Sequence, residues 1–162
     1  MSIFVNYDGI KGESSDSNHK GWMDVDSISW GVVRRITTEA STQNDRESAN
    51  AEISELTLTR RMDSATPSLF IEACCGTGKD VVIHLTKTGT GSGSDVYMEY
   101  TLKNALISSY NVNAISQDTG RPTENIVISF VDLEVKYTPY DDDGNAEAAI
   151  AVGFDTSTNT KR

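Results

Sequence analysis

Gly76-Thr77-Gly78-Lys79 places a lysine directly after a glycine, the pairing with which a phosphate-binding loop grips a nucleotide. That loop needs Gly-x-x-x-x-Gly-Lys-Ser/Thr, entered from a strand and opening a helix. Here Asp80 stands where the hydroxyl belongs, and Ala73 stands where the first glycine belongs. The helix signal also comes before the glycines, and Asp80 would repel a phosphate. The adjacent Cys74 and Cys75 read as reduced thiols on that helix. Neighbouring Cα atoms lie ~3.8 Å apart, short of the ~4.4–6.8 Å usual for a disulfide. His19 falls in a loop and His84 in a strand, each without Cys or a second His at metal-ligand spacing. Asp141-Asp142-Asp143-Gly144 is acidic enough for a calcium loop, but aligned on its glycine the first and twelfth positions are Pro139 and Ile150. It reads as a solvated turn. The 89–94 stretch ends in Ser94, not the third glycine of a dinucleotide fingerprint. No Gly-x-Ser-x-Gly occurs. The residues therefore point to no catalytic group, no cofactor and no metal, and the chain does not read as an enzyme.

The elements that would position these residues are mostly strands. Residues 3–8 form a short strand, and 9–21, with three glycines and many small polar residues, form a loop. Residues 22–33 return to strand, with Ile28 and Trp30 on one face and Ser27 and Ser29 on the other. Residues 37–52 are polar, lack periodicity and read as an extended loop. Residues 53–61, 80–88, 95–103, 105–116, 123–138 and 148–154 are strand-like, and 89–94 joins two of them as a hairpin. Between them lies one helix at about 66–75. Thr66 is placed as its N-cap, Pro67 as its first residue, and Gly76 as a left-handed stop. Leu69, Phe70, Ala73 and Cys74 form its apolar stripe. Residues 155–162 read as a flexible tail.

The chain has 162 residues, so one domain spanning 1–162 is expected. A net charge of −10 argues against nucleic acid and against an anionic membrane surface. The N-terminus lacks a basic n-region and an apolar h-region, so no secretory signal peptide is expected, and no window is long enough for membrane insertion. One feature does not suit a lone sheet in water. Residues 126–131 are apolar on both faces for half their length, and Val82, Tyr97 and Ile107 lie opposite their strands' main apolar faces. Such surface wants a cover, supplied by the helix or by a second copy.

Four segments, in this order and spacing, resemble the Hcp (hemolysin-coregulated protein) family, the tube protein of the bacterial type VI secretion system. They are "IFVNYDGIKGESSDSNHKGWMDVDSISWG", "LTLTRRMDSATPSLFIEACCG", "EYTLKNALISSYNV" and "RPTENIVISFVDLEVKYTP". Family members often carry Trp in the final strand, where this chain has Phe154. The resemblance implies a mainly β fold, a compact β-barrel of two antiparallel sheets with the helix on its side. It implies a homohexameric ring, rings stacked into a tube inside a sheath, and a spike protein at the tip. It also implies effectors carried in the lumen, and ejection from the bacterial cytoplasm into the medium or a target cell.

Ser27 and Ser29 are then expected to face the lumen, and Asn44, Asp45, Arg46 and Glu47 to reach an adjacent subunit or ring. A different class of reading remains open, a monomeric β-sandwich that binds a small ligand.

Overall fold

The computed structural model describes residues 1–36, 47, 49–89, 91 and 93–162. The strands are β1 (Ser2–Tyr7), β2 (Met23–Val25), β3 (Ser27–Ser29), β4 (Val32–Arg34), β5 (Ala51–Ile53) and β6 (Leu56–Arg61). Helix α1 (Thr66–Cys75) follows, then β7 (Lys79–Thr88), β8 (Ser94–Asn113), β9 (Thr123–Ser129), β10 (Asp132–Tyr137), β11 (Ile150–Asp155) and β12 (Thr160–Lys161). Two antiparallel sheets share β8. The larger runs β12-β11-β10-β8-β7-β1-β2, and the smaller runs β3-β6-β9-β8. Among the described residues the ladders do not close into a full circle, so the barrel is open.

Alternation explains how the sheets stack. Val5, Met23, Val81, Ile83 and Leu102 point from the larger sheet into the core, and Leu56, Leu58, Ile126 and Ile128 meet them from the smaller one. The 95–103 and 105–116 runs are one strand rather than two. β8 changes sheets near Asn104, which has φ 53°, so its apolar face swaps sides and reads as a break. The opposite happens at 123–138, where one apolar run is two strands in different sheets. Leu106 pairs Ser129 in the smaller sheet, and Lys103 pairs Asp132 in the larger. The 22–33 run is also divided, into β2, β3 and β4.

Helix α1 departs from expectation at both ends. Thr66 is its first residue, and Ala65 is the N-cap. The Thr66 hydroxyl is instead used between elements, accepting from the Asp63 amide at 3.2 Å and donating to Glu124 on β9 at 3.2 Å. Asp63 caps the turn by accepting from the Ala65 amide at 2.8 Å. Gly76 is extended, φ −68° and ψ 162°, not left-handed. Glycine is needed there because a Cβ would lie 2.5 Å from the Glu72 carbonyl oxygen. The expected stripe is only partly inside. Leu69 is buried and Ala73 half-buried, whereas Phe70, Cys74 and Cys75 are exposed. The helix lies against β8 along a narrow edge, too narrow for the apolar residues it carries.

The stretch 155–162, expected as a flexible tail, folds back as a hairpin. Thr160 pairs Asp155, and Arg162 reaches Asp132 on β10 at 2.5 Å. Ala51 and Glu52, assigned to the long polar loop, belong to β5.

Candidate assembly surfaces

Two faces of the sheets are built for contact with something else. The outer face of the smaller sheet is a field of small polar groups. In register across four strands stand Ser27, Thr59, Asn125 and Asn111, then Ser29, Thr57, Val127 and Ser109. Val127 is the apolar exception. Thr59 donates to the Asn125 side-chain oxygen at 2.8 Å, so the field is partly self-satisfied. Ser27 and Ser29 are exposed on it, while Ile28 and Trp30 turn inward and pack half-buried against the core. Small polar side chains thus cross all four strands in these two rows, while Leu106, in register with Ser129, adds an exposed apolar group on the same face.

The second face is apolar. The core side of the larger sheet continues past the point where it is covered. Leu102, Leu133 and Phe154 are aligned, then Tyr100, Val135 and Val152, then Met98, Tyr137 and Ile150. Burial fades along these rows. Leu133 is inside, whereas Tyr137 is 45% exposed, Val152 52% and Ile150 66%. Exposed, contiguous apolar surface on a sheet marks an interaction site. Beside it a cleft of about 380 Å³ opens between the sheets, lined by Ile3, Ile28, Trp30, Leu85 and Tyr100, with Asp26 as its charged group. Trp30 and Tyr100 meet edge to face there, their centroids 5.5 Å apart. The alternation of Val135 with Tyr137, and of Ile150 with Val152, is visible in the sequence. What the sequence does not say is that both strands lie beyond the cover of the smaller sheet.

The ribbon β4–β5 stands apart from both sheets, with Val32 and Val33 exposed. Asn44, Asp45 and Arg46 lie outside the described residues. Glu47 is described and exposed, and its carbonyl accepts from the Arg34 guanidinium.

Two polar clusters, one buried and one half-buried, hold the frame. Arg60 is fully buried, paired with Glu124 and with Asp63 at 2.7 Å. The Tyr110 hydroxyl also donates to Glu124. This cluster fastens the start of α1 to β6, β9 and β8. The second cluster corrects the reading of the histidines as separate loop and strand residues. His19 Nε2 and His84 Nδ1 are 2.8 Å apart, His19 Nδ1 is 2.8 Å from Asp16, and His84 Nε2 is 2.7 Å from Glu99. The rings are 65 residues apart in the chain, and no local spacing announces their meeting. Among the described residues no group of three or more His, Cys, Asp or Glu could hold a metal ion. Nor is any helix among them long and apolar enough to cross a membrane.

Residues 4–137 match the family model described as "Type VI secretion system effector, Hcp". The chain belongs to the Hcp family. It is 29% identical over 147 residues to Protein hcp1 of Pseudomonas aeruginosa, covering 89% of this chain and 87% of that one. A solved type six secretion system protein superposes with a TM-score of 0.90 at 26% identity, covering 99% of each chain. Hcp1 from Salmonella typhimurium gives a TM-score of 0.76 at 22% identity, covering 99% of this chain and 98% of that one, a likeness of fold. The two-sheet β architecture with helix α1 packed on its side is thus the fold of Hcp proteins, and the chain is a type VI secretion system protein.

Proposed function

We propose that this Hcp protein is the structural subunit of the type VI inner tube. Six copies form a ring, rings stack, and the tube carries effector proteins in its lumen. It assembles in the bacterial cytoplasm within a sheath, ends in a spike protein, and is ejected when the sheath contracts. Its mechanism is assembly and transport rather than catalysis.

The observation that carries this reading is the uncovered apolar face on β10 and β11. A patch that meets a different patch on the next copy closes into a ring when the rotation suits. The small polar field around Ser27 and Ser29 is suited to line a water-filled channel, because it offers a passenger mostly uncharged polar groups. Asn44, Asp45, Arg46 and Glu47, which fall between β4 and β5 in the sequence, would reach a neighbouring subunit or ring. Charged contacts there would make stacking sensitive to salt.

Native mass spectrometry across a salt series tests the reading. The expected result is a dominant species at six times the 17.6 kDa subunit mass. A monomer at every concentration and salt level would overturn it. That outcome would favour the ligand-binding sandwich, with the cleft beside Trp30 and Asp26 as its pocket.

A further inference from the structure

Helix α1 carries a second uncovered apolar face. Its exposed residues are Pro67, Phe70, Ile71, Cys74 and Cys75, and none is charged. Its single carboxylate, Glu72, is half-buried and paired with Lys79. Phe70 is 56% exposed and Ile71 53%. Phe70 stands four residues before Cys74, and Ile71 four before Cys75, so the four side chains form two neighbouring rows of one patch. A surface helix ordinarily turns charged groups to the water, and a helix that is apolar all round is a buried one. α1 is apolar all round, yet only its Leu69 is buried.

The two uncovered faces lie on opposite sides of β8. Ser129 pairs Leu106 and Asp132 pairs Lys103 in the same register, so β9 and β10 follow one edge of the strand. β11 extends the sheet beyond β10 on that side. β7 takes the other edge, but only as far as Ala105. α1 leads into β7 and packs on the half of β8 that β7 leaves, with Phe70 and Tyr110 edge to face at 6.5 Å. One flank of the subunit thus shows Tyr137, Ile150 and Val152, and the opposite flank shows Phe70, Ile71 and the two thiols.

We propose that these flanks are the two halves of one contact, the β10–β11 face of each copy seating on the α1 face of the next. The inference rests on the tube reading and supplies what that reading leaves open, the surface that receives β10 and β11. A patch that binds its own like stops at a pair, whereas two different patches on opposite sides join copy to copy and close a ring. A contact between two uncharged faces also avoids the repulsion that a net charge of −10 sets up between copies elsewhere. It takes two reduced thiols away from solvent and from oxidants. The exposed valines of β4 are a poorer match, since Arg34 and Arg35 follow them directly.

Thiol chemistry tests the pairing. Iodoacetamide is expected to alkylate Cys74 and Cys75 about tenfold more slowly in the wild-type ring than in the Ile150→Glu subunit, because a covered thiol must wait for the ring to open. The double change Cys75→Ser with Ile150→Cys leaves one thiol on each flank. A short bismaleimide should then give a ladder of up to six subunits on a denaturing gel, and adding Cys74→Ser should abolish it. Ile71→Glu should raise the dissociation constant of the ring roughly 30-fold, the effect of losing one central contact, with far-UV circular dichroism unchanged.

A hexamer whose thiols react as fast as those of the Ile150→Glu subunit overturns the pairing and leaves the ring standing on other contacts. So does a gel that stops at the dimer or shows no link, or an Ile71→Glu ring as tight as wild type. An Ile150→Glu protein that stays hexameric takes the β10–β11 face out of the contact, and overturns the pairing too. A wild type that is monomeric throughout removes the tube reading as well.

Discussion

Tyr137 and Ile150 are direct register partners across β10 and β11, and both stand exposed on the side of the sheet that elsewhere forms the core. The same row continues through Met98 on β8. Under the proposed tube reading, a neighbouring copy covers this end of the core face.

Ile150→Glu and Val152→Glu are therefore expected to break the assembly while sparing the fold. Each places a charge where a neighbour's apolar surface would seat, and central interface residues commonly carry about 2 kcal/mol or more. The dissociation constant of the ring should rise at least roughly 30-fold by that measure. Native mass spectrometry should show monomer, and far-UV circular dichroism should stay unchanged. A variant that remains hexameric places the contact elsewhere.

Arg60→Met is expected to cost about 3–5 kcal/mol, because it leaves Glu124 buried beside Tyr110 and Thr66 without its cation. The double change Arg60→Met with Glu124→Leu should recover much of that loss. Urea unfolding of the two singles and the double gives the coupling directly. Additive losses would show that the pair does not act as a unit.

Tyr7→Phe should stabilise by about 1 kcal/mol, since the Tyr7 hydroxyl is buried and finds no partner among the described residues. The same substitution should change the alkaline limb of stability. Burial first, and the charge of Glu72 second, push Tyr7 from 10.0 up to about 12. A raised tyrosine favours its neutral form in the fold. Its contribution is whole below pH 10 and is lost between 10 and about 12. Thermal melts across that window should show a shallower decline in the variant. Some decline remains, because burial and the bond to Glu124 raise Tyr110 as well.

Ser29→Trp should leave melting and ring formation within about 0.5 kcal/mol of wild type, as expected for an exposed site. If that face lines the lumen, co-purified effector should fall several-fold, because the indole narrows the channel. Unchanged effector recovery with intact rings would move the cargo surface away from Ser29.

The sequence was a good guide wherever one strand sees one environment. β6, β7 and the hairpin after Thr88 could be read from alternation and glycine, because each strand keeps one main buried face, whereas β1 also buries Phe4 on its other side. It misled where a strand changes partners. β8 passes from one sheet to the other, and its pattern reverses in mid-strand. The run 126–131 is apolar on both sides because it holds the hand-over from β9 to β10. The serine face was legible as alternation at Ser27 and Ser29, but its extent needed the registers of β6, β9 and β8. The histidine line was not legible at all, because its members come from separate segments and meet only through tertiary packing. The exposed thiols of α1 were misread for a related reason. The helix pattern gives the width of the apolar stripe but not the width of the surface available to receive it.

The sharing of β8 also fixes how the subunit carries load. Its twenty residues are hydrogen-bonded to β7 and β10 in one half and to β9 in the other. A thrust delivered to one sheet passes to the other along covalent backbone, without crossing the greasy plane between them. Parting the sheets would mean tearing the whole β8–β9 ladder, or those of β8 with β7 and β10. In the proposed tube subunit, such a tie-rod would let a hard push pass through without a change of shape.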